Sequence, residues 1–327
     1  MPHPYLKGRP GLNPLRFKDI VHLPRDSFAV LLEIENNLNR FFKLEPPEKP
    51  PKELKYGDFT FVAGEKFHYE AIINEKDFKR ITGAVGIARR NARIVIVSIH
   101  QHMGFNDAPL YSLEKFARAC IDQGADAVFG TGPHRLWGIE IYKNKPIFYS
   151  LGNFLFHGGS FGAYPAETYE KFGLPPDTRD PIVFEEGLLK KIPYFTKDFL
   201  YESIVPVITF EKGNQVTGIK LYPIHFEKDA PLYQQGTPLM AGKAKGESII
   251  KKLVKLSQRY DTKIVFRDGV GVIEFVSDGQ GALFEKTAPW TVKHPQKLLI
   301  KLPSAFFSCL ALFLLFLLFL ILTFTLS

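Results

Sequence analysis

The feature that most constrains the fold of this chain is an alternation of helix and strand patterns in its middle third. Asn74 is a good N-cap for an amphipathic helix over residues 75–91, and the β-branched run ARIVIVSIH at residues 92–100 predicts a strand buried on both faces. A second amphipathic helix over residues 109–123 leads to a second short strand, ADAVFG at residues 125–130. This alternation is typical of a layered α/β domain.

Weaker patterns extend this domain in both directions. Residues 1–58 are interpreted as a peripheral segment with one helix after Asp26 and a proline-rich loop, and residues 59–63 predict a short strand. We therefore place the α/β domain at residues 59–280. The elements predicted in its second half are two strands around a turn at 143–145, strands over 203–210 and 215–223, a helix over 243–260, and strands over 263–266 and 270–276.

The C-terminal residues 305–326, AFFSCLALFLLFLLFLILTFTL, form an apolar run without a charge. As a helix this run is about 33 Å long, which matches a hydrocarbon core of about 30 Å. It predicts a single-pass C-terminal membrane helix, preceded by a basic linker at residues 281–304 that contains four lysines. The positive-inside tendency would put the large domain in the cytoplasm, and the first residues show no secretory signal pattern.

Composition excludes several classes of protein. The only two cysteines, Cys120 and Cys309, lie far apart in the chain, so neither a disulfide framework nor a thiolate metal cluster is available. Most of the net charge of +8 lies near the C-terminus, and because it is not interleaved with aromatic residues it is a weak argument for a nucleic-acid partner, which we do not expect. The chain contains no P-loop, serine elbow or HExxH motif.

Three histidines follow predicted strands, where layered α/β folds bind ligands. His100 and His102 share one face of an extended segment, and His134 follows the next strand. Neutral imidazole binds zinc, manganese or iron, whereas a single histidine at a strand end is more often an ordinary hydrogen-bonded residue; both interpretations stay open here. Gly130 and Gly132 would let the backbone approach an ion or a phosphate closely.

Other candidate side chains are weaker. Asp107 and Glu140 could bind a metal or accept a proton, but each is more typical of a solvated or capping residue. His157 lies in a glycine-rich loop and is more typical of a residue without a catalytic role. Tyr142 and Tyr149 are interpreted as core or strand residues.

Four motifs in the middle of the chain occur together in one known family. GADAVFG, GPH, GIEIY and PIFYSLGNF stand here in family order and spacing, and the similarity continues from residue 9 to residue 264. The chain closely resembles the CapA family of poly-γ-glutamate capsule biosynthesis proteins, which is related to the calcineurin-like metallophosphoesterases. The resemblance implies the C-terminal portion of a four-layer α/β/β/α sandwich with a metal centre at the strand ends.

The resemblance also implies roles for individual residues. By position, His100 and His134 match metal-ligand histidines, His102 is a third site residue, and Asn153 is the asparagine that orients the substrate. One or two divalent ions, zinc, manganese or iron, would then act on an anionic γ-glutamyl polymer or a phosphate-bearing substrate. The apolar run at residues 305–326 makes the membrane a predicted partner, and the resemblance adds other membrane proteins of capsule synthesis.

Three departures from the family pattern leave two functions open. The acidic, Asn and His ligands of the family's first half have no counterpart here, Thr131 stands where a further histidine is usual, and Met103 stands where an acid is common. One hypothesis is a metal-dependent hydrolase of capsule polymer biosynthesis or export. The alternative is a non-catalytic membrane-anchored component, or a truncated fragment with an incomplete metal site.

Overall fold

The computed structural model describes most of the chain up to residue 275. The predicted linker at 281–304 and the predicted membrane helix at 305–326 lie outside the described residues, as do Met103 and His157. Within the described part, no helix is long and apolar enough to cross a membrane. The described residues are 13–45, 49–102, 107–156, 165–175, 177–178, 187, 197–228, 230–231, 234 and 236–275.

The first sheet is built by residues that precede the predicted α/β domain as well as by residues inside it. Its strand order is β2-β3-β1-β4, and the helix α1 packs against β1 and β3. The predicted boundary at residue 58 lies in the tight turn between β2 and β3. The elements are β1 (Phe17–Pro24), α1 (Arg25–Phe41), β2 (Glu53–Tyr56), β3 (Phe59–Gly64) and β4 (His68–Ile73).

The second sheet contains the helix–strand alternation that the sequence predicts. Its order is β5-β6-β8-β7, with β5, β6 and β8 parallel and β7 antiparallel to β8. Asn74 caps α2 as predicted, because its Oδ1 accepts a hydrogen bond of 3.1 Å from the Asp77 backbone N–H. The elements are α2 (Glu75–Asn91), β5 (Ile96–His100), α3 (Tyr111–Asp122), β6 (Ala127–Thr131), β7 (Ile139–Tyr142) and β8 (Lys145–Phe148).

The third sheet is antiparallel and centred on β10, which pairs with β9, β11 and β13. A short helix α4 precedes it, a 3₁₀ helix at Asp198–Tyr201 leads into β9, and a second at Gln258–Tyr260 extends α5. The elements are α4 (Ala166–Phe172), β9 (Glu202–Phe210), β10 (Val216–His225), β11 (Leu239–Met240), α5 (Lys243–Ser257), β12 (Val265–Arg267) and β13 (Val270–Glu274).

The second sheet has a hydrophobic core on each face. On β8, Ile147 faces the core formed with α2 and α3, whereas the next residue, Phe148, faces the core formed with the third sheet and α5. The alternation of strand side chains produces this division, and it confirms a mixed α/β fold. Each core contains a residue that is 0% exposed on the helix covering it, Cys120 on α3 and Leu253 on α5.

The prediction that β5 is buried on both faces is wrong. Among the described residues β5 is the edge strand of its sheet, and the core shared with the third sheet contains residues of β6, β7 and β8 but none of β5. Val97 and Ile99 pack against the core with α2 and α3, but Ile96 on the opposite face is 50% exposed. A continuous β-branched run therefore does not distinguish an edge strand from a central one, because both can be apolar on the covered face.

Candidate histidine site

The site lies at the carboxyl ends of two neighbouring parallel strands. His100 is the last residue of β5 and pairs in register with Thr131, the last residue of β6. The ladder continues one residue further, because the Gln101 N–H donates to the Thr131 carbonyl at 3.0 Å. His102 follows directly, and His134 follows β6 after a short turn, so the parallel pairing places all three predicted histidines at one sheet edge.

The three histidine rings contact one another. The Nε2 atoms of His100 and His102 are 2.9 Å apart, with ring centroids at 4.8 Å. The ring of His134 lies 5.3 Å from that of His102. The tertiary structure thus brings together residues that are 34 positions apart in the sequence, from 100 to 134.

Hydrogen bonds at Nδ1 orient two of these rings. His134 Nδ1 lies 2.8 Å from Asn153 Oδ1, and Asn153 Nδ2 donates to the Leu200 carbonyl at 2.8 Å. Because a carbonyl only accepts, the amide orientation is determined, and His134 must donate from Nδ1. Thr131 Oγ1 donates to the Ile99 carbonyl at 3.4 Å. It can therefore accept a hydrogen bond from His100 Nδ1, which lies 3.1 Å away. When either ring is neutral its single N–H is then on Nδ1, and Nε2 carries a lone pair.

Electrostatics favours the neutral form of His102. Partial burial lowers the pKa of His102, and repulsion by the charges that His100 and His134 would carry lowers it further. A hydrogen bond to the Gly132 backbone acts in the opposite direction but does not cancel these effects. Neutral imidazole is the form that binds metal ions.

The spacing of the first two rings fits a metal ion, and the full set fits less well. Two imidazole nitrogens bound at about 2.1 Å lie about 3.0 Å apart at the right angle of octahedral coordination and about 3.4 Å apart at the tetrahedral angle that zinc prefers. The Nε2 atoms of His100 and His102, at 2.9 Å, match the right-angle spacing and not the tetrahedral one. Within the described part of the chain, however, no group of three or more His, Cys, Asp or Glu side chains is arranged to hold a metal ion.

The two predicted glycines pack against the protein's own backbone. A Cβ atom at Gly130 would lie 2.1 Å from the Tyr149 carbonyl oxygen, and one at Gly132 would lie 2.0 Å from the Gln101 carbonyl oxygen. This packing requires glycine at both positions whether or not a ligand binds there. Their contact with a ligand stays a prediction.

The two candidate carboxylates have different surroundings. Asp107 is exposed and pairs with Arg135 Nη1 at 3.2 Å. Glu140 is 7% exposed and binds Arg118 at 3.0 Å and the Tyr149 hydroxyl at 2.5 Å. The interpretation of Glu140 as solvated or capping is therefore wrong, because its carboxylate is fully engaged inside the fold. Tyr149 is a buried core residue as predicted.

Sequence patterns alone do not identify the residues that orient the site. Thr131 stands out only as a departure from the family, although the ends of the two predicted strands place it opposite His100. Arg135 has a weaker signal, since it is simply the residue after His134. The position of its guanidinium group is set by Phe199, whose ring centroid lies 3.9 Å from the guanidinium carbon.

Comparisons with known proteins agree with these motifs. Residues 42–158, which include every predicted site residue, match the family described as bacterial capsule synthesis protein PGA_cap. The chain is 32% identical over 281 residues to the uncharacterized proteins y4sH and y4uA of Sinorhizobium fredii. These alignments include 81% of this chain, and the chain spans only 59% of the length of these relatives.

Shorter matches reach proteins that are named for a function. The capsule biosynthesis protein CapA of Bacillus anthracis is 40% identical over 81 residues, 25% of this chain and 20% of that protein. The PGA biosynthesis protein CapA of Bacillus subtilis is 43% identical over 72 residues, 22% of this chain and 19% of that protein.

Proposed function

We infer that this chain, which belongs to the CapA family of bacterial capsule synthesis proteins, acts in the biosynthesis or export of a poly-γ-glutamate capsule polymer. The observation that carries this proposal is the histidine cluster at the carboxyl ends of β5 and β6. It lies within the segment that matches the family. The four-layer α/β/β/α sandwich of the metallophosphoesterases is the architecture we propose for the complete domain.

In the enzymatic form of this proposal, the chain is a metal-dependent hydrolase. His100 and His102 would hold a divalent ion, zinc, manganese or iron, and His134 would face the same space or a second ion. Such an ion supplies a Lewis acid and an activated water when bound. The chain's own groups orient the ligands, because Thr131 and Asn153 hold the Nδ1 atoms of two rings and direct Nε2 away from them.

One observation favours a second candidate, a non-catalytic component of a capsule assembly complex. A distance of 2.9 Å between two Nε2 atoms also lies in the range of an N–H···N hydrogen bond. This contact therefore does not by itself require a metal. In either form we propose that the apolar residues 305–326 anchor the chain in the membrane, next to other capsule-synthesis membrane proteins.

Histidine substitutions separate the two forms. We would compare His100→Ala and His134→Ala with His68→Ala, an exposed histidine on β4 outside the site. The measurements are bound metal by elemental analysis of the purified chain and restoration of capsule polymer in a strain that lacks the gene. The hydrolase form predicts that both site variants lose metal and polymer while His68→Ala keeps them.

The component form predicts a different pattern, in which all three variants restore the polymer and none contains stoichiometric metal. A wild-type chain that restores no capsule polymer in a strain lacking its gene would contradict the proposed function itself.

A further inference from the structure

The 3₁₀ helix Asp198–Tyr201 lies against the histidine site. Its Leu200 carbonyl accepts the hydrogen bond from Asn153 that determines the amide orientation beside His134. Its Tyr201 ring lies edge-on to Phe156 at 6.4 Å, and the Phe156 ring is 5.8 Å from His134. A ligand that reaches the histidines from this side would therefore pass over the 3₁₀ helix.

Two cations lie over aromatic rings of this helix. The guanidinium carbon of Arg135 is 3.9 Å from the centroid of Phe199, and Lys228 Nζ is 5.3 Å from that of Tyr201. Only 14% of the Arg135 side chain and 33% of the Lys228 side chain are exposed. The aromatic faces and the packed aliphatic stems hold both charges in place.

Each of these cations is paired with a carboxylate that itself lies in solvent. Asp107 is 3.2 Å from Arg135 and Asp198 is 2.7 Å from Lys228, and these two aspartates are 79% and 76% exposed. Water and salt screen an ion pair whose acid is this exposed, so its carboxylate exchanges readily for another. The cation loses nothing in the exchange, because a carboxylate of the ligand takes the same position.

Further lysines continue the basic surface along α5. Lys245 and Lys252 both bind the single carboxylate of the buried Glu202, which leaves an excess of positive charge next to the 3₁₀ helix. The hydrogen bond from Lys228 lowers the pKa of Asp198, and the charges of Lys245 and Lys252 contribute to this lowering. These lysines therefore lie close enough to act on the same ligand.

We propose that Arg135 and Lys228, held on Phe199 and Tyr201, bind successive carboxylates of an acidic polymer at the entrance to the histidine site, with Lys245 and Lys252 extending the path. Asp107 and Asp198 occupy the positions of the polymer carboxylates when no polymer is bound. This inference rests on the proposed function, which supplies the γ-glutamyl chemistry of the ligand.

The test measures binding of a fluorescein-labelled γ-linked glutamate oligomer to the full chain by fluorescence anisotropy. We expect Arg135→Gln and Lys228→Gln each to weaken binding by roughly five- to tenfold, since each removes a partly desolvated charge. The matched control is Lys220→Gln, an exposed lysine on β10, which should bind like the wild type. Asp107→Asn and Asp198→Asn should bind about two- to fivefold more tightly, because they remove the competing carboxylate.

The aspartate variants separate binding from folding. A loss of affinity in Arg135→Gln could follow from a damaged fold, but a gain in Asp107→Asn could not, because this exposed carboxylate packs against no core. If the wild type binds the oligomer and all four site variants bind like Lys220→Gln, the inference is wrong while the proposed function stands. If the wild type does not bind the oligomer, both the inference and the γ-glutamyl ligand of the proposed function are wrong.

Discussion

Replacing Gly132 by alanine tests the close backbone contact that positions the histidine site. The added Cβ would lie 2.0 Å from the Gln101 carbonyl oxygen, and real Cβ contacts essentially never fall below 3.0 Å. The segments that carry His102 and His134 would therefore have to separate by at least about 1 Å. That movement would break the hydrogen bond of 3.0 Å between the Gln101 N–H and the Thr131 carbonyl.

The expected loss of unfolding free energy combines three effects. Gly132 has a φ of +111°, and a left-handed backbone costs an alanine about 1–2 kcal/mol. The broken hydrogen bond contributes about 1 kcal/mol, and overpacking contributes about 1–3 kcal/mol. We therefore expect Gly132→Ala to lower the free energy of unfolding by about 3–6 kcal/mol.

Two other glycines separate these effects. Gly57 has a φ of +58°, and no atom lies within 4 Å of the place that an added Cβ would take, so Gly57→Ala reports the backbone effect alone, about 1 kcal/mol. A Cβ on Gly130 would lie 2.1 Å from the Tyr149 carbonyl oxygen without a positive φ. Gly130→Ala therefore reports the steric effect alone, about 1–3 kcal/mol.

Urea unfolding at 25 °C, followed by circular dichroism, gives all three values. The expected order of destabilisation is Gly132→Ala, then Gly130→Ala, then Gly57→Ala. If Gly132→Ala and Gly57→Ala destabilise the fold equally, the contact between the two site segments does not exist as described.

Three further predictions concern single side chains. Hydrogen bonds from Arg16 lower the pKa of Asp77, and burial only partly opposes them. This pair therefore stabilises the fold above a pH of about 4, and the stabilisation is lost as the pH falls through the lowered pKa. Urea titrations should show this loss of unfolding free energy at acid pH in the wild type and a smaller loss in Asp77→Asn. Burial raises the pKa of the Cys120 thiol to about 12, so in a Cys309→Ser background it should react with a thiol reagent at pH 8 only in denaturant, and fast reaction under native conditions would contradict the burial. Asn153→Ala removes the acceptor of His134 Nδ1, and if the site holds a metal the affinity for zinc should fall by roughly tenfold or more in a competition titration; an unchanged affinity would argue against His134 as a ligand.

Local patterns predict the elements around the site well. The helix over residues 75–91 and its Asn74 cap are confirmed, and so is the hairpin turn around Lys143 and Asn144, both of which have a positive φ. These features depend on side-chain hydrogen bonds and backbone preferences within a few residues. The strand β1 has no such local signal, because its position between β3 and β4 depends on pairing with residues 40 to 56 positions away.

The candidate site shows the same division. The three histidines and Asn153 could be selected because they follow strands and match family motifs. The pairing of Asp107 with Arg135, and the burial of Glu140 against Arg118, could not be predicted from the sequence, since these contacts join separate elements. An exposed acidic residue such as Asp107 and a buried, paired one such as Glu140 have the same local pattern in the sequence.

The sequence by itself determined the helix–strand alternation, the family and the residues that meet at the site, because hydrophobic period, capping and motif spacing are local properties of a chain. Only the tertiary structure decided that β5 is an edge strand, that Thr131 orients His100, and that Arg135 lies on Phe199. These are contacts between segments distant in the sequence. Their geometry depends on strand register and on which face of each sheet is covered, and neither is encoded within any one segment.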